Sequence, residues 1–268
     1  MACLSCEKRQ FLKRTCMQII PIGTALTSIL TMILAYIFGV HAGKLEPLPF
    51  IPFISDLGNA KPASSVFTLG IALSCFFGLC MVILTHSYVR DRYGSCKRAN
   101  QISLVSGLVF VFGKLVVGSF QLSSVKSIHF LGAAMYFFGA AIFAMCQTYI
   151  AHVNAPKCPA QLFWLRATCT ILMTVSLVIF IVFMVPPLTR HNRNGANVAQ
   201  GFEWCFAICK MFFMVSYTYE FSGELPEVKV KFRDDTLDGV RYKSVSNDYS
   251  DDDIDAPSET ELIVAGSK

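Results

Sequence analysis

Six stretches of roughly twenty apolar residues run through the chain, at about 17–40, 66–88, 102–120, 130–150, 163–187 and 202–222. Each is about as long as a helix must be to cross a hydrocarbon core of roughly 30 Å. Short polar segments separate them. The pattern predicts an all-α, polytopic membrane protein: a bundle of six transmembrane helices over residues 17–222. A basic N-terminal segment, 1–16, precedes it and a polar tail, 223–268, follows.

Composition supports the same class. Hydrophobic residues make up 54% of the chain and charged residues 15%, against about 25% charged in a soluble domain. The charge is divided unevenly. Residues 1–222 hold 17 Lys and Arg against 6 Asp and Glu, a net +11, whereas 223–268 hold 6 against 12, a net −6. The basic residues flank the apolar blocks, as expected for loops facing anionic lipid, and form no single patch for nucleic acid. The tail is rich in Asp, Ser and Glu and is too polar to bury a core, so it is expected to be disordered.

Prolines fall mainly between the blocks, at Pro47, Pro49, Pro52, Pro62, Pro156, Pro159, Pro186 and Pro187, where helix breakers belong. Pro21 is expected in the first turn of the first helix, where it is tolerated. Orientation follows from the basic residues near the helix ends. Lys8, Arg9, Lys13 and Arg14 precede the first block. Arg90, Arg92, Lys97 and Arg98 follow the second, and Lys157 and Arg166 flank the fifth. The N-terminus, the second and fourth loops and the tail are therefore expected in the cytoplasm. The eleven cysteines lie in apolar blocks or in segments assigned to this reducing side, so a disulfide framework is not expected. The first block is longer than the apolar core of a cleavable signal and reads as a retained helix.

Few residues suggest chemistry. Lys114 and Lys210 are the ionisable groups deepest inside apolar blocks, and such groups are functional-site hypotheses by default. Each lies about 10–12 Å from the luminal end at 1.5 Å per residue, so either could snorkel outward on its four-carbon stem. Glu203 is two turns from Lys210 on one helix face. With Asp56 and His129 of the same side, these residues define a candidate luminal polar cluster: Asp56, Lys114, His129, Glu203 and Lys210. Its readings are structural pairing or an ion or substrate pathway; the latter would make the chain a channel or transporter subunit. Ser55, Asp56 and Gly58 read as a turn. Gly113 and Gly118, with Gly132-Ala133-Ala134 and Gly139-Ala140-Ala141, permit close helix approach, within the bundle or at a dimer seam. No catalytic, metal or cofactor motif is recognised. Cys3 and Cys6 lack a second ligand pair. Cys16 and Cys96, beside basic residues, are candidate palmitoylation sites. In the tail, Tyr242 and Val245 have the form of a sorting signal read by clathrin adaptors.

Four stretches carry a resemblance to a known family. They are Pro52-Phe53-Ile54-Ser55-Asp56-Leu57-Gly58, Gly118-Ser119-Phe120-Gln121 with His129, Gln147-Thr148-Tyr149 followed by Phe163-Trp164-Leu165-Arg166, and Glu203-Trp204 with Tyr219-Glu220-Phe221. They resemble the damage-regulated autophagy modulator family and its six-span relatives from about 17 to 222. Ser119 stands where that family usually has Asn, and Ala63 where it usually has Glu. The resemblance implies a non-enzymatic lysosomal membrane regulator of autophagy. Some relatives resemble plasma-membrane scaffolds that recruit a phosphatidylinositol 4-kinase. A cytoplasmic lipid-kinase complex is therefore an alternative partner, and the plasma membrane an alternative location. Another branch is linked to processing of glycosylphosphatidylinositol anchors.

Overall fold

Inside a bilayer no water satisfies backbone amides, so each crossing segment must satisfy its own, and a helix does this. The computed structural model describes residues 2–48, 51–94, 96–155, 158–184 and 193–222. Its helices are α1 (Ala2–His41), α2 (Ile54–Leu57), α3 (Ala63–Arg92), α4 (Lys97–Ser119), α5 (Lys126–Val153), α6 (Ala160–Met184), α7 (Arg193–Val215) and α8 (Tyr217–Phe221). Six segments are long and apolar enough to cross a membrane: Met17–His41, the whole of α3, α4, α5 and α6, and Gly195–Phe221, formed by α7 and α8. The protein is thus a six-span helical membrane protein. The tail segment 223–268 lies outside the described residues.

Two boundaries differ from expectation. The N-terminal segment is continuous with the first span, so α1 runs unbroken from Ala2 and Pro21 sits inside it, not in its first turn. Pro21 has no N–H, which leaves the Met17 carbonyl without its helical donor. The helix of the last span, α7, begins at Arg193, well before the apolar block, because Ala196, Val198 and Ala199 continue it through polar neighbours. The span is interrupted at Ser216, whose Oγ donates to the Phe213 carbonyl at 2.6 Å.

Hydroxyls in α1 are satisfied within the helix. Thr24, Thr27 and Ser28 each donate to the carbonyl four residues back, at 2.9, 2.6 and 2.8 Å. Such bonds remove the cost of an unpaired hydroxyl in lipid.

Four helices pack in sequence. α1 lies on α3, α3 on α4 and α4 on α5, while α6 pairs with α7. The tightest approach is α4 on α5. A Cβ added to Gly113 would meet the Tyr136 backbone nitrogen at 2.5 Å and the Gly132 carbonyl oxygen at 2.6 Å; one added to Gly139 would meet Ser106 and Phe110 backbone atoms at 2.8–2.9 Å. Gly118 faces Ile71 of α3. The small residues thus form an intramolecular seam. Polar pairs tie α4 to both neighbours: Gln147 Nε2 of α5 donates to Ser103 Oγ at 2.7 Å, and Asn100 Nδ2 donates to the His86 carbonyl of α3 at 2.9 Å. α5 and α6 meet less extensively, through Thr148 and Thr170 hydroxyls 2.8 Å apart and the Phe137 and Phe180 rings 5.2 Å apart.

Candidate functional site

The loop after α1 is held against the last span. Trp204 Nε1 donates to the Pro52 carbonyl at 2.9 Å, and Glu203 Oε2 accepts the Ile54 N–H at 2.9 Å. Glu203 therefore supplies an acceptor to one of the orphan donors at the start of α2. Asp56 reaches back to the Phe53 N–H, the second half of a capping arrangement. Burial pushes the Asp56 carboxyl above its usual range, outweighing the opposing pull of that N–H and of His129. On the same end of the bundle, His129 Nδ1 donates to the Phe120 carbonyl at 2.7 Å, and Ser123 N–H donates to Asn59 Oδ1 at 2.8 Å.

Behind this loop lies a cavity of about 490 Å³ lined by every span and by α2. Lys114, His129, Glu203 and Lys210 all face it, so four of the five residues expected in one cluster share one space. Asp56 does not line it and sits on α2 beside its rim. Lys114 donates to Ser74 Oγ at 2.6 Å and to Ser28 Oγ at 3.0 Å, and those two hydroxyls are 2.8 Å apart. The Lys210 ammonium adjoins that of Lys114 and lies 5.8 Å from the Tyr136 ring centroid, within range of a cation–π attraction.

Two details differ from the sequence reading. The lysines do not snorkel outward: Lys114 is 8% exposed and Lys210 2%. The bundle is open inside, so both stems turn into the cavity and not along the helices toward an end. Glu203 and Lys210, two turns apart on one helix, do not form an ion pair; the carboxylate is engaged by the Ile54 N–H instead.

A second polar site, at the opposite end, was not anticipated as a pair. Arg166 of α6 donates from Nη1 and Nη2 to Glu220 Oε1 and Oε2 at 3.1 and 2.6 Å, and from Nε to Ser216 Oγ at 2.9 Å. Its guanidinium carbon is 3.9 Å from the Tyr217 ring centroid. Arg166 is 2% exposed. The residue expected among the basic flanks of the fifth span is an interior charge neutralised by a fork-to-fork pair. The only sequence signal was an Arg seven positions into an apolar helix and a lone Glu at the end of another. Cys96 is half-buried, with its Sγ 3.8 Å from Asn154 Nδ2. The Cys16 side chain and the signal at Tyr242 and Val245 lie outside the described residues. Among the described residues, no group of three His, Cys, Asp or Glu is placed to hold a metal.

A family model described as Frag1/DRAM/Sfk1/Cwh43P N-terminal domain matches residues 16–224. The chain is 28% identical to DNA damage-regulated autophagy modulator protein 1 of Xenopus laevis, over 75% of this chain and 89% of that protein. It is 24% identical to the Homo sapiens protein of the same name, over 82% and 97%. It is also 24% identical to Modulator of macroautophagy TMEM150B of Danio rerio, over 71% and 79%. No solved structure matches. The family match spans all six helices, the rim loop, the cavity and the buried Arg166–Glu220 pair, and the chain belongs to the Frag1/DRAM/Sfk1/Cwh43P family.

Proposed function

We propose that this protein is a non-enzymatic, multi-pass regulator of autophagy at the lysosomal membrane, with both termini in the cytoplasm. The observation that carries the reading is the extent of the match. Relatives named autophagy modulators align over three-quarters or more of the chain. The geometry supports a binding or positioning role. Lys114 is held by two serine hydroxyls, Glu203 by a backbone N–H and Arg166 by Glu220. These three buried charges are fixed in place. The basic residues around α1, between α3 and α4, and at Lys157 support the orientation without any contribution from Arg166.

The test is the location of the full chain, tagged at its N-terminus and co-stained for lysosomal and surface markers, together with autophagic flux in starved cells with and without the gene. Lysosomal residence and altered flux are expected. Surface residence would overturn the lysosomal placement and favour a scaffold for a phosphatidylinositol 4-kinase complex. Unchanged flux after removal would overturn the regulator reading.

A further inference from the structure

We propose that the cavity behind α2 binds an anionic amphiphile of the membrane, with a phosphate or carboxylate headgroup against Lys114 and Lys210 and a chain leaving between α5 and α6. This inference goes beyond the autophagy reading and does not depend on it.

The first observation is charge. Lys114 and Lys210 adjoin inside the bundle, each at least nine-tenths buried. Lys114 reaches only hydroxyls, and among the described residues neither lysine meets a carboxylate. Glu203 faces the same cavity but is held at the α2 backbone. His129 also faces it, with its Nδ1 spent on the Phe120 carbonyl. Two neighbouring lysine side chains in a medium of low dielectric can both be ammonium groups only with a counter-anion beside them. Ammonium groups bind phosphate and carboxylate as strong charge-assisted partners.

The second observation is the wall. Phe130, Ala134 and Phe138 recur at intervals of four on α5, and Leu177, Ile181 and Met184 recur at helical spacing on α6; all six line the cavity. Phe130, Phe138 and Ile181 are also 50%, 51% and 38% exposed. Residues that line an interior space and are also exposed on the outer face of their helices mark a lateral opening toward the bilayer. It lies between α5 and α6, which pack on each other less extensively than α4 on α5 or α6 on α7. The volume, about 490 Å³, lies within the roughly 300–1,000 Å³ of small-molecule sites. A small soluble anion would need the lysines but not the apolar walls or the side opening.

The experiment uses the full chain in phosphatidylcholine nanodiscs with three photoactivatable probes carrying a diazirine in the acyl chain: phosphatidic acid, palmitate and neutral diacylglycerol. At least one anionic probe should label α5 and α6 peptides about tenfold more than diacylglycerol does, and the Lys114→Met/Lys210→Met double variant should reduce that labelling to the neutral level. The Ala134→Trp variant, which fills the opening on a lipid-exposed face, should abolish labelling with an unchanged melting temperature; it serves if the lysine variant does not fold. Excess inorganic phosphate should not compete. Equal labelling by anionic and neutral probes, or labelling that survives Ala134→Trp, would overturn the proposal. Displacement by inorganic phosphate would overturn the lipid and leave a soluble anion as the occupant.

Discussion

Removing Glu220 tests the buried pair most directly. In the Glu220→Ala variant the Arg166 guanidinium, 2% exposed, loses both carboxylate contacts and keeps Ser216 Oγ and the Tyr217 and Phe213 rings. Breaking a buried pair from one side leaves an uncompensated interior charge and costs about 3–5 kcal/mol. That is roughly two to four decades in the unfolding equilibrium. Replacing both members by apolar residues of similar volume is often close to neutral, so Arg166→Met/Glu220→Met should recover to within about 1 kcal/mol of the parent chain. The assay is unfolding in mixed micelles by titration with sodium dodecyl sulfate, followed by circular dichroism. A cost below about 1 kcal/mol for Glu220→Ala would show that water reaches the site, contrary to its burial. A double variant as unstable as the single one would show that packing around the pair, not its charge, governs stability.

Three further outcomes follow from the geometry. Gly113→Ala puts a methyl group against the α5 backbone and should lose about 1–3 kcal/mol in the same titration; Gly201→Ala, with nothing within 4 Å, should be neutral or gain up to about 1 kcal/mol. Glu203→Ala removes the acceptor of the Ile54 N–H and should cost about 1–3 kcal/mol, read also as faster hydrogen exchange of the α2 amides. Asp56 is raised by burial, so the folded loop holds its proton to higher pH than the unfolded loop. That contribution is complete below the unfolded value of about 3.9 and is lost as pH rises through the folded value. Exchange protection of residues 53–58, corrected for intrinsic rates, should fall as pH rises from that range toward neutrality, and Asp56→Asn should flatten the profile.

The fold was legible because the bilayer prices every polar group by depth. Six apolar blocks and their flanking charges announce six spans with little dependence on long-range contacts. The cavity was legible in part. Lys114, His129, Glu203 and Lys210 were drawn together by their common depth and side. What each touches was not readable, because that depends on neighbouring helices. Ser28 and Ser74 come to Lys114 from α1 and α3, 86 and 40 residues away, and the backbone N–H of Ile54 reaches Glu203 from 149 residues earlier. Spacing along one helix suggested a Glu203–Lys210 pair that a backbone donor pre-empts. The pairing of Arg166 was hidden for the same reason: a positive charge near a helix end looks like a simple flank until its partner on another helix is known.

The Arg166–Glu220 pair also constrains how the protein is made. The arginine is synthesised 54 residues before its carboxylate. While the chain emerges, the sixth helix has an unmet cation that is costly to release into lipid. It is therefore expected to wait beside the insertion machinery until the last span arrives and supplies Glu220. A chain stopped after α6 would carry an orphan charge within the membrane, a ready mark for quality control. The last short helix thus certifies that the bundle is complete.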